Sequence, residues 1–261
     1  MEREATPEDV VLYFGSDDHW IYALDGTNGQ LLWKHETAGE TGSVCMISDD
    51  GSAVLCGADD NYVRAFHWNN GSLIWKFKTG GSVTSSVRIS DNGDMLFGCL
   101  DNHFYCMSSM GELRWKKDLG HPVWATPALV QGGKSVFVGG LSEKPDVGTV
   151  FALNGETGSE VWSTVIGAIF GSPAVDEERN VVVFCTVDSM CYGMKVDNGE
   201  RLWTMEVQSE VFASPTIQRP TGLVFIVCLE GTLYAVRVES GAIEWKKSGK
   251  LCFESFTVLA S

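Results

Sequence analysis

Along this chain the apolar residues gather in short runs and never fall into a 3.6-residue rhythm. Val11-Leu-Tyr-Phe-Gly15, Ala53-Val-Leu-Cys-Gly57, Met95-Leu-Phe-Gly98, Ser135-Val-Phe-Val-Gly139, Val181-Val-Val-Phe184 and Leu223-Val-Phe-Ile-Val227 are rich in β-branched and aromatic residues. That is the composition of strands. Turn residues follow most of them, as in Ser16-Asp-Asp18, Ala58-Asp-Asp60 and Asp101-Asn102. A second short run comes next, for example Tyr22-Ala-Leu24 or Tyr234-Ala-Val236. After it stand a turn ending in Gly and a third run holding a Trp. A further run precedes the later sets, as in Val123-Trp-Ala-Thr-Pro-Ala128 and Ile169-Phe-Gly-Ser-Pro-Ala174. The pattern predicts an all-β chain.

The pattern also repeats. A Gly stands four residues before a Trp six times, giving Trp33, Trp75, Trp115, Trp162, Trp203 and Trp245 at steps of 40 to 47 residues. Four antiparallel strands per such step are the signature of β-propeller blades, and six units predict six blades. The longest step contains Gly140–Gly148, a Gly-, Pro- and charge-bearing insertion that reads as an exposed loop. The first unit lacks its innermost strand. The tail Leu251–Val258 carries Phe253 eight residues past Trp245, as Phe170 lies eight past Trp162. The tail is therefore expected to complete the first blade and close the ring. The domain expectation is an extension over 1–10 and one propeller over 11–258, with blade 1 shared between 11–37 and 251–258. A piece of a seven- or eight-bladed ring is the competing architecture.

Charge narrows the partners. With 19 Lys and Arg against 34 Asp and Glu, the net charge is −15, which disfavours nucleic acid and anionic membranes and favours a cationic partner. No apolar run reaches 18 residues, and the first ten residues are charged and polar, so a cytoplasmic monomer is expected. Eight cysteines occur without a C-x-x-C pair, mostly inside apolar runs, and are expected to be reduced core thiols.

The segment Ala23-Leu-Asp25-Gly-Thr-Asn-Gly29-Gln-Leu-Leu-Trp33 resembles the tryptophan-docking repeat of PQQ-like (quinoprotein alcohol dehydrogenase-like) propellers, and Ala152–Trp162 is similar to it. The Ser/Thr-Pro pairs at Thr126-Pro127, Ser172-Pro173 and Ser214-Pro215 are similar too. The resemblance runs from Val11 to Val258. It implies a propeller in which each Trp bridges neighbouring blades. The third unit is one residue short at its turn, and the sixth has Arg237 where Asp is expected. Relatives of this kind include PQQ-dependent dehydrogenases and, more distantly, the C-terminal propeller of an aminoadipate-semialdehyde dehydrogenase-like acyl-activating enzyme.

Chemistry is sparse. The adjacent cysteines that such quinoproteins place on PQQ are missing, as are a calcium-loop pattern, a Gly-x-Ser-x-Gly elbow and a phosphate loop. No catalytic residue, metal or cofactor is expected. The five histidines are scattered, and the turn acids Asp17, Asp18, Asp59, Asp60 and Asp101 suit Asx turns. One constellation stands out on the inner runs. Counting eight or nine residues past each repeat Trp gives Thr41, Val83, Trp124, Phe170, Phe212 and Phe253. Two residues later stand Ser43, Ser85, Thr126, Ser172, Ser214 and Ser255. These would ring the central channel as an aromatic wall with hydroxyls, or simply fill a crowded axis. The functional expectation is a non-catalytic scaffold that binds a protein or small ligand. The alternatives are the propeller portion of a larger cytosolic acyl-activating enzyme, or a reduced PQQ-dependent oxidoreductase.

Overall fold

A computed structural model describes residues 10–141 and 147–249. The chain divides into two compact units, Met1–Val123 and Trp124–Ser261. Among the described residues every sheet is antiparallel, and the helical content is two single 3-10 turns, Gln131–Gly133 and Arg219–Thr221.

Unit 1 holds three sheets. β1 (Val11–Gly15), β2 (Trp20–Asp25) and β3 (Leu31–Glu36) form the first. β4 (Met46–Ile47), β5 (Ala53–Ala58), β6 (Tyr62–His67) and β7 (Leu73–Lys78) form the second. β8 (Arg88–Ile89), β9 (Met95–Gly98), β10 (His103–Met107) and β11 (Leu113–Asp118) form the third. Unit 2 holds three more. The fourth sheet is β12 (Ala128–Val130), β13 (Ser135–Gly139), β14 (Gly148–Asn154) and β15 (Glu160–Ile166). The fifth is β16 (Ala174–Asp176), β17 (Val181–Cys185), β18 (Met190–Lys195) and β19 (Arg201–Glu206). The sixth is β20 (Thr216–Gln218), β21 (Leu223–Val227), β22 (Thr232–Arg237) and β23 (Ile243–Ser248).

Burial explains the strand compositions. β5, β9 and β17 are buried along their whole length, so their apolar runs are continuous. Outer strands such as β7 and β11 alternate between exposed and half-buried positions, and polar residues enter them. In all six sheets the repeat Trp pairs with the residue just before a register shift, as Ala23 with Trp33 and Ala235 with Trp245.

The repeat Gly has two tasks. Its positive φ, +68° to +80° across Gly29, Gly71, Gly111, Gly158, Gly199 and Gly241, makes the turn into the Trp strand. At Gly71, Gly111, Gly199 and Gly241 it also gives the preceding sheet's indole a flat seat. A Cβ on Gly71 would lie 2.6 Å from the Trp33 ring, and Gly111, Gly199 and Gly241 stand likewise against Trp75, Trp162 and Trp203. Each of these indoles donates its Nε1–H to a carbonyl of the sheet it sits on: Trp68, Ser109, Val196 and Val238 respectively. Trp245 instead lies against Phe225, with ring centroids 6.0 Å apart, and is 43% exposed.

One cysteine expectation is corrected. Cys45 and Cys56 form a disulfide, with Cα atoms 4.8 Å apart, in place of two reduced thiols. The β4–β5 register pairs Met46 with Leu55 and so brings the preceding Cys45 opposite Cys56, at a separation a disulfide can span. Cys99, Cys106, Cys185, Cys191 and Cys228 are free and buried, and burial pushes the Cys99 thiol up to about 11 and Cys106 to about 12. Cys252, the expected closing strand 251–258, most of the N-terminal extension and residues 142–146 of the insertion lie outside the described residues.

Candidate functional site

Three inner segments of unit 2 lead into β12, β16 and β20. Along each, side chains alternate between the sheet interior and the opposite face. Val123, Ala125, Ile169, Val211 and Ala213 are at most 3% exposed. Trp124, 43% exposed, and the half-buried Phe170 and Phe212 lie between them on the other face. The three rings form a ladder: Trp124 and Phe170 stand 5.8 Å apart at 53°, and Phe170 and Phe212 stand 5.3 Å apart edge to face.

Two residues further along each segment, Thr126, Ser172 and Ser214 are half-buried on the same face. The Ser172 N–H donates to Ser214 Oγ at 2.8 Å, which ties two neighbouring segments together. Close approach there depends on Gly171, where a Cβ would come 2.7 Å from the Ala213 carbonyl oxygen. Ladder and hydroxyls therefore share one face, offering flat apolar surface beside polar groups.

In unit 1 the count from the repeat Trp lands one residue off this face. Thr41 and Val83 are buried, at 2% and 0%. Ser43 Oγ donates to the Gly57 carbonyl at 2.8 Å and accepts the Gly57 N–H, while Ser85 Oγ accepts the Gly98 N–H at 3.2 Å. These two hydroxyls are fastened to the second strand of their sheets. The residues matching the ladder are Gly42 and Thr84, and those matching its hydroxyls are Val44 and Ser86. The Val44 N–H donates to Ser86 Oγ at 3.0 Å, as Ser172 does to Ser214. The signal that finds this register is the buried series Thr41, Val83, Val123, Ile169 and Val211. Phe253 and Ser255 lie outside the described residues.

The turn acids are latches. Asp18 Oδ1 accepts the Trp20 N–H and Asp101 Oδ1 the His103 N–H, both Asx turns. Asp60 and Asp101 also take an N–H from the preceding sheet's end loop, Ala38 and Gly80, at 3.0 and 2.9 Å. Burial alone would raise the Asp60 carboxyl, but Arg64 and the Ala38 N–H outweigh it and hold it below its ordinary value. Asp101 behaves likewise, with the Tyr105 hydroxyl as the leading counterweight to burial. Asp59 goes the other way: burial, with Glu40, Asp17 and Asp60 nearby, raises it. Among the described residues no three His, Cys, Asp or Glu side chains converge as a metal ligand set, and no helix is long and apolar enough to cross a membrane.

Against known proteins, the beta-alanine-activating enzyme of Drosophila melanogaster is 33% identical over 104 residues, 34% of this chain and 10% of that protein. The chain thus matches about a tenth of that relative's length. Among solved structures, BamB from Moraxella catarrhalis superposes with a TM-score of 0.77 over 96% of this chain and 76% of its own, at 17% identity. Saccharomyces cerevisiae Sqt1 does so with 0.81, covering 96% of this chain and 74% of its own, at 13% identity. Likeness at such identities speaks to the fold alone. Residues 2–258 match the family model described as "Beta-alanine-activating enzyme, beta-propeller", and the chain belongs to that β-propeller family.

Proposed function

We propose that this chain is a non-catalytic β-propeller module of a longer acyl-activating protein, and that it works by binding a partner. The observation that carries the binding role is the Trp124–Phe170–Phe212 ladder. Trp33, Trp162 and Trp203, each seated on a glycine of the next sheet, are at most 8% exposed and serve packing, whereas Trp124 stacks on Phe170 and is 43% exposed, as is Trp245. An exposed aromatic stack beside Thr126, Ser172 and Ser214 suits a peptide or small flat ligand that needs both apolar contact and hydrogen bonds. The relative in which a tenth of the length is matched supports membership of a longer protein.

Several finer features belong to this reading. Six PQQ-like blades form one ring, and 251–258 adds the missing inner strand to β1. Among the described residues β1 is the edge of a three-stranded sheet, with Leu12 53% and Phe14 40% exposed, which favours an added strand. Phe253 and Ser255 then extend the ladder face. The partner is cationic, because a net charge of −15 steers positive surfaces inward and repels nucleic acid. The setting is cytoplasmic and the propeller monomeric.

The test is affinity capture from the source organism's extract at low salt, comparing the wild type with Trp124→Ala/Phe170→Ala. A partner retained by the wild type, lost by the variant and weakened by salt is expected. Recovery of nothing, or equal recovery by both proteins, overturns the proposal.

A further inference from the structure

The seams between neighbouring sheets of unit 1 differ. At the first seam, between the sheets of β1–β3 and β4–β7, Trp33 sits on Gly71 and two more aromatic residues close the space around it. The Tyr13 hydroxyl donates to the Trp68 carbonyl at 2.9 Å, and the same oxygen receives the Trp33 Nε1–H at 2.9 Å. The Tyr13 and Trp33 rings stand 5.7 Å apart, and Trp33 is 5% exposed.

At the second seam, between β4–β7 and β8–β11, Trp75 sits on Gly111 in the same way and donates to the Ser109 carbonyl at 3.1 Å. Register fixes the correspondences. Tyr13 pairs with Ala23, which pairs with Trp33; Leu55 pairs with Ala65, which pairs with Trp75. Trp68 and Ser109 supply the accepting carbonyls. Leu therefore replaces Tyr, and Ser replaces Trp.

The space these replacements leave is a groove of about 330 Å³. Leu55, Ile74, Trp75, Ile89 and Met95 line its apolar part. Trp75 remains half-buried, and Ile74 is 42% exposed. The β4–β5 turn forms one rim with Asp49 and Asp50, the only charged side chains that line the groove among the described residues. The Asp50 carboxylate accepts hydrogen bonds from Ser48 Oγ and from the N–H and Oγ of Ser52. They hold its carboxyl down to about 2.

We propose that this groove docks a segment of a partner protein carrying a bulky apolar side chain directly beside a Lys or Arg. The apolar side chain fills the floor against the Trp75 indole, and the cation lies over Asp49 and Asp50. Charge complementarity selects this occupant: among the described residues the lining has two carboxylates and no cation, and the chain as a whole is strongly acidic. An aromatic floor with one apolar anchor and a charged rim is the arrangement in which a few residues carry most of an interface's energy. The proposal rests on the reading of the chain as a binding module, and it adds a second surface on unit 1.

The experiment titrates isotope-labelled protein with N-acetyl-Trp-Lys-amide and N-acetyl-Trp-Glu-amide, followed by NMR at the Trp75 Nε1–H, which Trp75→Phe assigns. The Lys peptide is expected to move that resonance saturably, and the Glu peptide to bind about tenfold more weakly or not at all. The double variant Leu55→Tyr/Ser109→Trp refills the groove as the first seam is filled and abolishes the shift. Asp49→Lys, on an exposed turn, keeps the fold and weakens the Lys peptide about tenfold. A resonance that the Lys peptide leaves unmoved, or that both peptides move equally, overturns the proposal. The two readings separate. Partner capture through the ladder with a silent Trp75 removes the groove alone, whereas a saturable titration with a partner captured equally by the wild type and Trp124→Ala/Phe170→Ala removes the ladder alone.

Discussion

At the outward positions of the inner segments, unit 1 carries Gly42 and Thr84, whereas unit 2 carries Trp124, Phe170 and Phe212. One residue before each, the two units hardly differ. Thr41, Val83 and Val123 on one side, and Ile169 and Val211 on the other, are all at most 2% exposed. For Thr41, Val83, Val123 and Ile169 that side is fixed by close packing on Gly15, Gly57, Gly98 and Gly139. A Cβ on Gly98 would meet Val123 at 2.2 Å, and one on Gly139 would meet Ile169 at 2.7 Å. Only a compact or branched side chain fits over such a strand, so fold chemistry dictates the inward residue. The outward residue meets no such demand, and that is where the two units have diverged from Gly to Trp. Function is to be sought on the side of a repeat that packing leaves free.

The comparison breaks first if the inward positions prove dispensable. Ile169→Ala removes a fully buried side chain packed with Phe137, Phe184 and Trp162, and should cost about 4 kcal/mol in denaturant unfolding. Next comes the glycine itself. Gly98→Ala pushes a methyl into Val123, and overpacking of this kind should cost about 2 kcal/mol, read as a lower midpoint with an unchanged m-value. A loss below about 0.5 kcal/mol would mean that the segment lifts off the strand at little cost and that the inward side is not what fixes it.

How much of this was legible in the sequence follows from the same physics. The six sheets were, because a positive-φ Gly and a large indole recur at fixed spacing and few other residues can do either task. The ladder in unit 2 was visible because Trp124, Phe170 and Phe212 are large. Its counterparts in unit 1 were missed, because the connection from the repeat Trp varies by one residue, and in extended chain one residue is the difference between two faces. Counting eight from Trp33 and Trp75 therefore reached Thr41 and Val83, which are buried, instead of Gly42 and Thr84. The Cys45–Cys56 bridge depends on hairpin register, to which a spacing of eleven gives no clue. The groove at Trp75 was hidden for another reason. It arises from two side chains being small, Leu55 and Ser109, which lie 54 positions apart and meet only when two sheets pack.

A smaller effect is expected on the outward side. Trp124→Ala should lower stability by only about 1 kcal/mol, since the ring loses its contact with Phe170 but leaves no sealed cavity. Its effect on partner capture should be much larger than that. A stability loss approaching the Ile169→Ala value would turn Trp124 into a packing residue and remove the reason to assign it a ligand.

The smallest effect reverses sign. Thr84 occupies the ladder position in unit 1, yet its Oγ1 is one of two buried side-chain oxygen atoms without a hydrogen-bond partner among the described residues. A buried hydroxyl left unpaired gives up its hydration for nothing, so a methyl in its place should fit better. Thr84→Val is therefore expected to raise stability by about 0.5 kcal/mol, seen as a small upward shift of the denaturant midpoint. Ser86, two residues on, marks the boundary of the argument. Its oxygen accepts the Val44 N–H, so removing it deletes a bond between neighbouring segments and should lower the midpoint instead. Two hydroxyl deletions on one face thus give opposite signs if the register assigned to unit 1 is right. If both lower the midpoint, Thr84 has a partner, and the contrast between an unoccupied face in unit 1 and a built one in unit 2 is lost.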